Sequence, residues 1–280
     1  MPIAKIDDDV EIYYEETGTG VPLVWSHEFG GDYRSWEPQV RYFSRRYRVI
    51  TYNHRGYPPS SVPKGAASYS QAILVEDLHR LFRHIGVAQA HLAGCSMGAN
   101  VARDFALAHP GLLRSLIMVG AGAGSVNRSE FLKGQAATAD GLEREGMAAR
   151  LRGFDALPTR ASFKAKDPRG FGEFMRQASE HDVQACAHLA REVMSKRPTV
   201  QEQEAKLRAL RVPTLIAVGD KDAPCVEPSM MMRALIPHAG LVVFPACGHT
   251  PNIEEPGLFN LHVGEFLAAV DGGSWAGWRS

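Results

Sequence analysis

The sequence predicts a mostly parallel α/β sheet of eight strands, with helices on both faces and a helical insertion late in the chain. Three observations predict it. Apolar runs without alternation, as strands buried on both faces require, stand at 22–26, 47–52, 90–94, 115–120, 212–219 and 241–244. Amphipathic segments fall between most of them, and strands that alternate with helices pair in parallel. Between about 125 and 210 the alternation stops and no strand-like run appears.

Each element has its own signal. Alternating segments near 3–6 and 10–16, followed by a Gly18-Thr19-Gly20 turn, read as an antiparallel hairpin at a sheet edge. Trp36, Val40 and Phe43 recur at helical spacing. Ile73, Leu74, Leu78, Leu81, Phe82 and Ile85 do so more strongly, after a Ser68…Gln71 capping box. The stretch 125–210 reads as helices broken at Gly134, Gly141, Pro158, Pro168 and Pro198. A Thr199…Glu202 capping box opens its last helix. The expected organisation is a core of 1–124 and 211–280 and a cap of 125–210. The cap lies over the C-terminal ends of the strands, where open α/β sheets bind ligands.

Composition narrows the partners. With 280 residues and 45% hydrophobic content, the chain can bury one sizeable core plus a small inserted module. Lys+Arg and Asp+Glu are both 31, so nothing points to nucleic acid or an anionic membrane. The N-terminal stretch has no apolar h-region, and no apolar run is long enough for a membrane helix. The cysteines Cys95, Cys186, Cys225 and Cys247 form no C-x-x-C pair and read as small buried hydrophobes in a cytoplasmic protein. His181, Cys186 and His188, at helical spacing in the cap, read as cap surface or pocket lining rather than metal ligands. No metal or cofactor is expected; the expected partner is a small molecule. The Gly- and Trp-rich tail from Asp271 to Trp278 is either disordered or docked on a neighbouring subunit of a homodimer.

The chemistry is carried by Gly94-Cys95-Ser96-Met97-Gly98, between the run 90–94 and a helical stretch. G-x-S-x-G between strand and helix is a nucleophile elbow. Small residues flank the serine because the turn is tight, and the following helix aims its N-terminal N–H groups at the reacting oxygen. A serine hydroxyl needs a base, and the base needs a carboxylate to fix its tautomer. In this architecture the order is Ser, acid, His. The acid candidates are Asp220 and Asp222, after the run 212–219. The histidine candidate is His249, in the loop after the last strand.

Four motifs together resemble the α/β-hydrolase superfamily, in its branch with a serine nucleophile and a helical cap. They are His27-x-x-Gly30, the elbow at Ser96, Gly219-x-x-Asp222 and Gly248-His249-x-x-x-x-Glu254. The resemblance implies that Asp222 rather than Asp220 is the triad acid. It also implies that the oxyanion hole is made by the N–H groups of Met97 and Phe29.

The chain departs from the family pattern at Glu28, which stands where relatives have the glycine of His-Gly-x. The plain expectation is a salt bridge to Arg55 or to a cap Lys or Arg; the alternative is contact with substrate or water. A second departure, Pro58, lies in the stretch from Asn53 to Ser60. The expected pocket set is Glu28, Gly30, His54, Tyr57 and Cys95. The cap offers Phe131, Leu132, Met147, Phe154, Leu157, Phe163, Phe171, Phe174 and Met175 as apolar lining. Arg160, Arg169 and Arg176 are candidates to engage one carboxylate.

The expected activity is hydrolysis of a small or medium, largely apolar ester or lactone through an acyl-enzyme. The alternatives are carbon–carbon bond hydrolysis of a diketone-type substrate, and a ligand receptor built on a hydrolase scaffold.

Overall fold

The computed structural model describes residues 2–275. Eight strands form one sheet: β1 (Ile3–Lys5), β2 (Glu11–Thr17), β3 (Pro22–Ser26), β4 (Arg48–Tyr52), β5 (Ala90–Cys95), β6 (Leu113–Val119), β7 (Thr214–Gly219) and β8 (Ala239–Phe244). Their spatial order is β1-β2-β4-β3-β5-β6-β7-β8. β2 runs antiparallel to both β1 and β4, and the remaining pairs are parallel.

The unalternating runs are explained by two buried faces. Leu23 and Trp25 of β3, with Ala93 and Cys95 of β5, face the cluster built on Trp36, Phe43, Phe259 and Phe266. Val24 and Leu92 face the opposite cluster, which includes Leu78, Phe82, Val101 and Phe105. The first face is covered by α1 (Glu37–Phe43) and α12 (Pro256–Asp271). α12 presents Phe259, Val263, Phe266 and Leu267 at helical spacing, each buried side chain contributing about 1.5–3 kcal/mol. α2 (Gln71–His84) and α3 (Met97–Ala108) contribute to the other face, and α10 (Ala223–Leu235) follows β7.

Between β6 and β7 lie α4 (Arg128–Glu145), α5 (Met147–Ala156), α6 (Pro158–Lys166), α7 (Pro168–Ser179), α8 (Val183–His188) and α9 (Glu204–Ala209). A short α11 (Pro251–Glu254) precedes α12. No strand occurs in the 125–210 stretch. Two expected breaks do not occur: Gly134 and Gly141 lie inside α4. A lone glycine costs a helix only about 1 kcal/mol, and packing overrides that. Pro158 and Pro168 do open new helices. The Thr199…Glu202 box forms, with Glu202 accepting from Thr199 N–H at 2.7 Å. The expected Ser68 cap is replaced by Ser70, whose hydroxyl accepts from Ile73 N–H at 3.1 Å.

Trp275 docks on its own chain: its indole N–H donates to His238 O at 3.0 Å, and its ring meets Phe266 edge-on. The rest of the tail expectation, from Ala276 to Trp278, lies outside the described residues. Among the described residues no helix is long and apolar enough to cross a membrane.

Candidate active site

β5 ends at Cys95 and α3 begins at Met97, so Ser96 makes the whole turn. Its backbone sits at φ 53°, ψ −110°, a strained conformation costing about 1–3 kcal/mol. Both flanking glycines are sterically required. A Cβ on Gly94 would lie 2.3 Å from Gly98 O, and one on Gly98 would lie 2.2 Å from Ser26 O. The turn is tied down by backbone: Ser96 N–H donates to Val119 O at 2.8 Å, and Ser96 O accepts from Asn100 N–H and its side-chain amide. The Ser96 backbone is therefore held in place without using the side-chain hydroxyl.

Asp222 is 1% exposed at the start of α10, and its Oδ2 lies 2.6 Å from His249 Nδ1. With Nδ1–H donating to the carboxylate, Nε2 is left as the basic nitrogen. Gly120, at φ +57° after β6, makes room for this pair. A Cβ there would lie 3.2 Å from both Asp222 Oδ2 and His249 Nδ1. Asp220 is exposed and accepts instead from Cys247 N–H at 3.2 Å. Amide donors at Ala246 and Cys247 pull its carboxyl below the usual range.

The G-H-x-x-x-x-E spacing has a structural reason. Glu254 accepts from Gly248 N–H at 2.8 Å, which closes the loop. His249 N–H donates to Thr159 O of the cap at 3.0 Å, and a Cβ on Gly248 would strike that same oxygen at 2.1 Å.

The loop after β3 is built from polar side chains. His27 bonds Glu28 O at 2.8 Å through Nδ1 and accepts from His54 N–H at 3.1 Å through Nε2. Burial pushes His27 down to about 4, and His54 in the same direction, so both rings are neutral. His54 is fully buried and bonds Ser26 Oγ at 2.9 Å.

Glu28 is 3% exposed and pairs with Arg160 of α6 through both carboxylate oxygens. Arg160 also donates to Thr250 Oγ1 at 3.0 Å. Arg55 is engaged elsewhere, with buried Asp77 at 2.5 Å. Of the two partners expected for Glu28, the structure has the cap arginine.

Phe29 O accepts from Tyr57 Oη at 2.9 Å and from Arg150 of α5. The N–H groups of Phe29 and Met97 donate to no protein acceptor among the described residues. Gly30 is packed tightly, with a hypothetical Cβ 2.9 Å from Phe174 and 3.1 Å from Phe154. Cys95 is buried against His249 O at 3.9 Å, and burial pushes its thiol up. All four cysteines are buried and free.

The apolar cap residues divide. Phe163, Phe171 and Phe174 form a small core of their own with Phe154, Met175 and Ile253, whereas Leu132 and Leu157 are exposed. Arg169 and Arg176 are exposed and paired with neighbouring glutamates, so only Arg160 of the three carboxylate candidates lies at the site. A groove of about 560 Å³ lies between α7 and α1, lined by Arg34, Arg41, Asp167 and Glu173 among others and not by Ser96. Sequence reasoning missed Arg150 and Thr159, which act on Phe29 and His249, groups far away in the chain. Gly120 was passed over as the end of a strand.

A family model for the alpha/beta hydrolase fold matches residues 21–256. A protein of Azorhizobium caulinodans described as a carbamate hydrolase is 29% identical, over 97% of this chain and 100% of its own. A 3-oxoadipate enol-lactonase of Acinetobacter baylyi is 26% identical, over 93% of this chain and 96% of its own. Among solved structures, a thermophilic esterase from Thermogutta terrifontis matches with a TM-score of 0.83 and 28% identity, covering 93% of this chain and 94% of that one.

Proposed function

The chain belongs to the α/β-hydrolase family and is an enzyme of that fold, and from this premise we propose that it is a serine hydrolase of small or medium, largely apolar carboxylic esters or lactones, working through an acyl-enzyme. The observation that carries the reading is the 2.6 Å His249–Asp222 contact beside a strained, backbone-held Ser96.

Ser96 Oγ attacks the acyl carbon. His249 Nε2 takes its proton and delivers it to the leaving oxygen. Asp222 holds the ring and balances the imidazolium. The N–H groups of Met97 and Phe29 receive the oxyanion, a contribution of about 3–4 kcal/mol per donor in comparable sites. Water then repeats the cycle on the acyl-enzyme. Ser96 is 8% exposed beneath the cap, so the cap helices part for substrate to enter. The same chemistry would serve the carbamate and lactone carbonyls named for the relatives.

Intact-protein mass spectrometry with a fluorophosphonate tests this. One adduct on the wild type and none on Ser96→Ala supports the reading; an unlabelled wild type overturns it.

A further inference from the structure

Glu28 occupies a place where an anion is required, and it is supplied by the chain itself. Arg160 is 3% exposed. A guanidinium so buried needs a counter-charge, and removing one partner of such a pair is strongly destabilising. Glu28 meets it with both carboxylate oxygens. The pair sits beside the reacting groups. Arg160 also holds Thr250, next to His249, and its neighbour Thr159 holds His249 N–H. Glu28 is next to Phe29, whose N–H is the proposed oxyanion donor.

Another buried arginine of the 125–210 stretch, Arg150, is answered by the same loop. Arg150 stacks 4.4 Å over the Phe29 ring and bonds Phe29 O. It lies 3.4 Å from His181 Nδ1, and His181 Nε2 lies 3.4 Å from Asp32 Oδ2. Arg160 thus meets the buried carboxylate of Glu28, while Arg150 meets Phe29 O and the His181 ring, and Asp32 is held by Arg34 at 2.6 Å.

We propose that Glu28 is a built-in stand-in for a substrate carboxylate, and that by occupying Arg160 it makes the site select acyl groups without a free carboxylate. This rests on the serine-hydrolase reading for its catalytic consequence, though not for the anion site itself. With glycine at 28, Arg160 would stay buried beside His249 with its counter-charge gone, and a small carboxylate would fill the space.

Two measurements on wild type and Glu28→Gly test it. The first is thermal stability with and without acetate. Stabilisation of Glu28→Gly but not wild type supports the proposal, and a folded Glu28→Gly indifferent to acetate overturns it. The second compares p-nitrophenyl butanoate with p-nitrophenyl hemisuccinate, which carries a carboxylate where butanoate has a methyl. Wild type should favour butanoate in kcat/KM by at least about tenfold, and Glu28→Gly should move that ratio about tenfold or more toward the hemisuccinate. Equal use of both esters by wild type, or an unmoved ratio in an active Glu28→Gly, overturns it.

If Glu28→Gly does not fold, Glu28→Gly with Arg160→Met removes both charges. Recovered folding with no acetate effect supports the proposal, and acetate stabilisation without Arg160 overturns it. Should wild type hydrolyse neither ester and resist fluorophosphonate, the serine-hydrolase reading fails, while the acetate measurement still decides the role of Arg160.

Discussion

The elbow at Ser96 and the loop after β3 each carry one of the two proposed oxyanion donors, Met97 N–H and Phe29 N–H, and they are held by opposite means. The elbow uses small residues and backbone bonds: Gly94, Gly98, Val119 O and Asn100. The loop uses charge and imidazole, namely His27, Glu28, Arg160, Arg150 and Tyr57. The elbow is thus a steric device built from glycines and backbone bonds. The loop is held by Arg150 of α5 and Arg160 of α6, so its geometry depends on those helices being in place.

The largest effects should come from the elbow. Ser96→Ala should lower kcat/KM by about 10³-fold or more, with stability unchanged or raised, as measured by steady-state kinetics and urea unfolding. Gly98→Ala drives a methyl into Ser26 O and His27 O, both backbone atoms that cannot rotate away. It should cost more than about 4 kcal/mol and abolish fluorophosphonate labelling. A stable, labelled Gly98→Ala would mean that the turn is looser than its contacts indicate.

Arg150→Met probes the loop. It removes a donor to Phe29 O while keeping the bulk of the side chain. Expected are a stability loss of about 1–3 kcal/mol and a fall in kcat with little change in KM. A rise in KM alone would place Arg150 in substrate binding rather than loop positioning.

The pH dependence of stability separates the regions next. His27 and His54 are both held neutral by burial, His27 at about 4, while the unfolded chain protonates near 6.5. The unfolded state binds more protons below that value. Stability is therefore complete above about pH 6.5 and is lost as pH falls toward 4, by about 1.4 kcal/mol per pH unit for each such histidine. Urea midpoints at intervals from pH 8 to 5 would check this, and a flat profile would remove the loop histidines from the account. The elbow pentapeptide contains no such group, but buried His91 of β5, also pushed down to about 4, adds the same slope.

Tyr57→Phe is the mildest perturbation, because Arg150 still serves Phe29 O. A loss of about 1 kcal/mol is expected in urea unfolding.

How much of this was legible follows from the same contrast. The elbow, the strand runs and the G-H-x-x-x-x-E loop are short-range patterns, and each could be read from adjacent residues. The exceptions were small: Gly134 and Gly141 do not break α4, and Ser70 rather than Ser68 caps α2. The counter-ion of Glu28 could be narrowed to Arg55 or a cap cation. Choosing between them required knowing that Asp77 already holds Arg55. Arg150 gave no signal, because its partners come from two separate stretches, Phe29 O after β3 and His181 and Cys186 around α8.

The sequence by itself determined the sheet, the insertion and the family. Periodicity, glycine placement and motif spacing act within a few residues, where sterics leave few choices. Tertiary structure alone decided how the cap meets the loop after β3. A buried charge pairs with whichever opposite charge the fold brings within reach, and distance along the chain says nothing about that.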